Sequence, residues 1–171
     1  MEAAGLSLEE GKAKFIQSWG TIGSNWGINR TMAMIHALLL VSPEPLNAEQ
    51  VMEELSISRG NANMNLRALI DWGLVYKTIK SGERKEYFTA EKDMYKVTKA
   101  VIVQRKKREL EPLLRVLDEL STVRGDSAEE QEFSEVVKDI KLFSTKADST
   151  LDALVSSNAD WLVSTFMKLS K

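Results

Sequence analysis

The sequence predicts a mostly α fold carrying one small β-ribbon, and three observations point to it. Apolar residues recur at helical spacing in long segments near both ends of the chain. In the middle the period changes, because Leu74–Ile79 and Glu86–Thr89 are rich in β-branched and aromatic residues. Between those runs lies Lys80–Lys85, polar around Gly82, which has the composition of a hairpin tip.

The elements follow in order. Leu8, Phe15, Trp19, Ile22 and Trp26 form the apolar stripe of a first helix, with Ser7 and Glu10 spaced as a capping box and Asn25-Trp26-Gly27 as its stop. Arg30 to Val41 is a short apolar helix, ended by Ser42-Pro43-Glu44-Pro45 because proline cannot continue it. Asn47 is a good N-cap for Ala48–Leu55, whose apolar face is Val51, Met52 and Leu55. A tight break at Ser56-Ile57 leads to Ser58, the N-cap of a helix reaching about Trp72, with Gly73 placed to close it in the left-handed region. The ribbon follows. Beyond Asp93 the pattern is helical again: Val97, Val101, Leu110, Leu113, Leu114, Leu117 and Leu120 make a seam that Pro112 should kink or restart. After a break at Arg124-Gly125-Asp126-Ser127, residues from Phe133 to Phe166 read as two further helical stretches.

Composition bounds the class. With 171 residues, 43% hydrophobic, the chain suits one ordinary domain or a small domain with helical extensions. No apolar run approaches the roughly 18 residues that span a bilayer, and the first residues do not form a secretory signal. The absence of cysteine excludes disulfides and thiolate metal sites. A cytoplasmic protein without a membrane partner, cofactor or bound metal is expected. Net charge is only −2 at neutral reckoning, but its distribution is uneven. From Ile57 to Lys85 six cations face two acids, inside a chain that is otherwise acidic toward its C-terminus. A basic island of this kind suits a protein that touches DNA at one place.

Helix, helix, tight turn, helix and basic-tipped ribbon is the order of a winged helix-turn-helix. A recognition helix needs one apolar face for docking and one polar face for reading bases. At about 100° per residue, Ala62, Leu66, Leu69, Ile70 and Gly73 fall on one side of the third helix. Gly60, Asn61, Met64, Arg67 and Ala68 fall on the other. Arg67 suits a guanine edge, Asn61 an adenine and Met64 a thymine methyl. Asn63 and Asn65 on the flanks, with Ser58 and Arg59 at the helix start, suit phosphates. Gly60 would let the backbone approach DNA closely. Asn47 and Gln50 at the start of the preceding helix, with Lys77, Lys80, Arg84 and Lys85 on the ribbon, complete the candidate DNA contacts. The competing explanation for each polar residue is an ordinary solvated face, and for the second basic run, Arg105–Arg108, a solvated face is the better account.

The stretch Ser58–Val75, preceded by Leu46–Val51 and followed by Gly82–Phe88, resembles the GbsR-type branch of the MarR-like repressors. The resemblance is carried by about Trp19 to Leu110. It implies a transcriptional repressor that binds a palindromic operator in double-stranded DNA as a homodimer, and some members of the branch are similar to sensors of choline or glycine betaine. The expected division is a dimerisation helix over 1–28, the winged DNA-binding domain over 29–92, and a helical dimerisation and effector region over 93–171. A small-molecule effector site is expected between winged domain and dimerisation helices, with Trp19, Trp26, Met32 and Tyr95 as its walls; ordinary packing is the rival account of all four.

Other classes fit less well. The single histidine, His36, sits in the apolar run Met34–Leu38, where a satisfied core or interface residue is the simpler account than a catalytic one. No phosphate loop, nucleophile elbow or metal-ligand spacing occurs, so no catalytic residue is assigned. The alternative to DNA binding is a winged-helix module that binds protein instead. Against it stands the polar and basic outer face of the third helix.

Overall fold

The computed structural model describes residues 5–79 and 82–157. It is mostly helical with one small antiparallel sheet, and it divides into two compact units, Met1–Val97 and Thr98–Lys171. The first unit holds α1 (Leu8–Asn25), α2 (Arg30–Val41), β1 (Leu46–Asn47), α3 (Ala48–Leu55), α4 (Arg59–Asp71), β2 (Val75–Ile79) and β3 (Glu86–Ala90).

The capping box of α1 forms as its sequence implies, with Ser7 and Glu10 satisfying each other's backbone N–H groups. The face that α1 buries is not its aromatic stripe. Ile16, Gly20 and Gly23 are buried, whereas Leu8, Ile22 and Trp26 are exposed. Steric space explains the choice. A Cβ on Gly23 would lie 2.6 Å from the Cβ of Ala33, so the two backbones meet there and only glycine fits. Arg30 then ties the pair laterally, its guanidinium donating to Gln17 Oε1 at 2.9 Å and Thr21 Oγ1 at 3.3 Å.

Helix α2 is buried nearly all round, as its uninterrupted apolar sequence requires. Ile35 and Leu39 from α2, Val51 from α3, Leu66 and Leu69 from α4 and Val75 from β2 are the fully buried large side chains of the unit. Burying each contributes on the order of 1.5–3 kcal/mol. The sheet has three strands in the order β1-β3-β2, one more than the ribbon expected from sequence. Leu46 pairs with Phe88 and Lys77 with the same Phe88 from the other side. A two-residue strand has no period to detect, which is why β1 was not legible.

Helix α5 (Met94–Arg105) leads through a π turn (Lys106–Leu110) into α6 (Glu111–Leu120), and α7 runs over Ala128–Ser156. The π turn is a consequence of Pro112, which stands in the first turn of α6 and has no N–H to return to the carbonyl four residues back. Within the second unit α6 and α7 pack antiparallel, clipped by Lys141 to Asp118 at 2.8 Å. Lys106 turns inward between Asp148 and Asp152, and Arg105 pairs with Glu109, so much of the second basic run is spent inside its own unit. From residue 128 to 156 the helix is unbroken. Leu162 and Phe166, expected in a further helical stretch, lie outside the described residues.

Candidate nucleic-acid interface

Two helix ends build the turn of the motif. At the close of α3, Ser56 takes φ 53°, a left-handed conformation uncommon for a residue with a Cβ. Ile57 N–H donates to Met52 O at 3.1 Å and Ser56 N–H to Glu53 O at 3.3 Å, which is the Schellman pattern. The chain therefore reverses within two residues. Ser58 then caps α4, its hydroxyl accepting from Asn61 N–H at 3.3 Å. Gly73, at φ +72°, closes α4 in the same Schellman manner and turns it into β2.

The inner face of α4 is Ala62, Asn65, Leu66 and Leu69, spaced i, i+3, i+4 and i+7. The outer face exposes Arg59, Gly60, Asn63, Met64 and Arg67. The expectation that Asn65 meets phosphate is corrected here. Asn65 is 3% exposed, and its amide donates to the backbone and side-chain oxygens of Asn61 at 2.8 and 2.7 Å. The signal was available, since Asn65 sits three residues after Ala62 and four before Leu69. Its polar side chain outweighed that position in the sequence reading, although a neighbouring carbonyl can satisfy it. Asn61 is half-buried and engaged in the same pair, so of the three asparagines Asn63 is the freely presented one.

Asn47 and Gln50 are also partly committed. Each side-chain oxygen accepts the other's backbone N–H, at 3.0 and 2.9 Å, in a reciprocal cap of α3. On the wing, Lys77 pairs with Glu86 at 2.8 Å and Lys85 with Glu49 at 2.6 Å. Arg84 is exposed, and Lys80 lies outside the described residues. A groove of about 230 Å³ runs between α4 and the wing, lined by Asn47, Glu49, Arg59, Asn63, Lys85 and Phe88 among others. Beside it a second groove of about 290 Å³ is lined by Asn63, Arg67, Lys77 and Glu86 with apolar neighbours. The fold thus brings Arg59, Asn63, Arg67, Lys77 and Lys85 to one continuous surface.

Glu49 is the residue of this surface that sequence reasoning missed. Its bond to Lys85 holds its carboxyl below the ordinary value and raises the Lys85 ammonium in return. The two are 36 residues apart, and no local spacing joins them.

The four expected effector residues occupy dissimilar places. Met32 is core; Trp19 is half-buried, with Phe15 at 5.4 Å and His36 at 6.4 Å between ring centroids. Trp26 is exposed and Tyr95 half-buried. None of the four lines the cavity of about 850 Å³ formed by α1, the end of α2 and α3.

No family model matches the chain. A relative from Bacillus subtilis (strain 168), named HTH-type transcriptional repressor GbsR, is 25% identical over 158 residues, covering 91% of this chain and 84% of its own. Over most of its length this chain is similar to that repressor. The GbsR likeness extends past Leu110, beyond the segment that carried it in the sequence. A crystal structure of a transcriptional regulator overlays with TM-score 0.64 at 21% identity, over 84% of this chain and 95% of the other, and has the same fold. Among the described residues no helix is long and apolar enough to cross a membrane.

Proposed function

We propose that this GbsR-like chain is a sequence-specific DNA-binding transcriptional regulator, acting in the cytoplasm as a homodimer that represses from a palindromic operator. The observation that carries the proposal is the outer face of α4, which presents Arg59, Gly60, Asn63, Met64 and Arg67 beside a basic wing. That face has the donors and the thymine-sized apolar contact that major-groove reading uses. The name of the Bacillus relative supports the same role. Dimerisation is supported by α1, whose Leu8, Ile22 and Trp26 are exposed among the described residues. The proposed division remains a dimerisation helix over 1–28, a reader over 29–92 and a helical dimerisation and effector region over 93–171. Effector engagement by Trp19, Trp26 and Tyr95 belongs to the same proposal, and tryptophan fluorescence during a metabolite titration would register it.

Selection of bound fragments from genomic DNA, followed by footprinting, tests the function. Two half-sites about 34 Å apart are expected, one per recognition helix. Random duplex bound as tightly as any selected fragment would overturn sequence-specific regulation, and a single half-site footprint would overturn the dimer.

Base contacts and phosphate contacts should separate by mutation. Arg67→Ala should cost about 1–3 kcal/mol on the selected site and relax preference at one base pair, as expected for a bidentate guanine contact. Arg84→Ala should weaken all sequences alike and flatten the salt dependence. Equal losses on selected and random DNA for Arg67→Ala would refute its assignment to a base.

A further inference from the structure

Glu49 occupies an unexpected place for an acid. It stands in the first turn of α3, on the surface that the proposed function gives to DNA, and its Oε2 lies 2.6 Å from Lys85 Nζ at the tip of the wing, just before β3. The side chains are 59% and 56% exposed, so the pair is bathed in water and contributes little to folding stability. Arg59, at the start of α4, also acts on the Glu49 carboxylate through its charge. A carboxylate flanked by a wing lysine and a cation at a helix N-terminus has the surroundings a DNA phosphate would seek. The groove walled by Asn47, Glu49, Arg59, Asn63 and Lys85 is open to a strand.

We propose that Glu49 is an internal substitute for a backbone phosphate, engaging Lys85 and so holding down the sequence-independent part of DNA binding. The inference rests on the reading of this surface as the DNA interface. Its logic is electrostatic. A cation already neutralised by a carboxylate releases no counterion when a duplex arrives, so it adds nothing to the salt-dependent affinity. The acid also repels the approaching strand. The contacts of α4 with base edges then carry a larger share of the affinity, which is useful to a protein that must leave random DNA quickly.

The test compares wild type, Glu49→Gln, Lys85→Ala and the double variant on random and on selected duplex across a salt series, with thermal melts of each. Glu49→Gln frees one lysine, so the slope of log affinity against log salt should steepen by about 0.9. The same term corresponds to about fivefold tighter binding at 0.15 M salt, equally on both duplexes. Lys85→Ala alone should change affinity less than twofold, and in the Glu49→Gln background it should erase the gain. Unchanged melting temperatures are expected throughout, which separates this role from a structural one. Weaker binding or an unchanged slope for Glu49→Gln overturns the proposal, as does a full lost contact for Lys85→Ala in the otherwise wild-type chain. If the wild-type protein binds no duplex at all, the DNA assignment itself fails and this proposal falls with it.

Discussion

In chemical denaturation, Leu66→Ala is expected to lose roughly 2–5 kcal/mol, the range for removing a fully buried leucine. Leu66 is 1% exposed on the buried face of α4, the helix that packs against α2 and α3. The removed methyl groups leave a cavity under α4, and the helix cannot slide to fill it because Ala62 and Leu69 are equally buried on either side. Folding stability of this order is a large fraction of what a domain of this size possesses. The proposed DNA binding should therefore weaken in step with the folded fraction, and a stabilising uncharged osmolyte should restore both together. Met64→Ala on the same helix is the control. Met64 is 60% exposed, so its removal should shift stability by less than about 0.5 kcal/mol while altering the choice of bases. A Leu66→Ala variant with unchanged midpoint would show that α4 is not held by this face.

The second large effect is acid sensitivity from one residue. His36 is 4% exposed in the middle of α2, and its Nε2 has no hydrogen-bond partner among the described residues. Burial lowers its pKa from 6.5 to about 4, so at neutral pH the ring is uncharged. The unfolded chain therefore binds a proton between pH 6.5 and 4 that the folded chain refuses. Stability is complete above about pH 6.5 and falls as pH drops toward 4, at up to about 1.4 kcal/mol per pH unit. The total expected loss is on the order of 3 kcal/mol. His36→Leu should abolish that portion of the pH dependence, and at pH 7 it should match or exceed the wild type, because an unpaired buried ring nitrogen is removed. Carboxylates bonded in the folded state, such as Glu10 with Ser7 and Glu91 with Asp93, have lowered values and contribute at more acid pH. Parallel wild-type and His36→Leu curves from pH 7 to 4.5 would show that His36 is hydrated in the folded protein.

Charge and burial met differently at the two places where the sequence was misleading. Asparagines in a recognition-helix sequence read as contacts to DNA, and Asn63 is free to be one, yet Asn65 fills a core position. Only the short distance to Asn61's oxygens makes that burial tolerable. The wing cations Lys77, Lys80, Arg84 and Lys85 read as candidate DNA contacts. The fold spends Lys77 on Glu86 and Lys85 on Glu49, leaving a smaller set for an external anion.

What the sequence determined by itself was local in origin. The N-caps at Ser7, Asn47 and Ser58, the left-handed closure at Gly73, the proline-driven change of helix geometry before Pro112 and the β-branched and aromatic composition of the wing all act within a few residues, so each is written in adjacent letters. Tertiary structure decided the rest. It chose the glycine face of α1 over the aromatic stripe, because Gly23 alone lets α1 close onto Ala33, and it left Leu8, Ile22 and Trp26 of the stripe exposed. It also added β1 to the sheet and set Glu49 against Lys85, pairings across about 40 residues that no window of sequence contains. Such contacts depend on which backbones approach one another, and that is settled by the volume of the whole core and not by the spacing of any one segment.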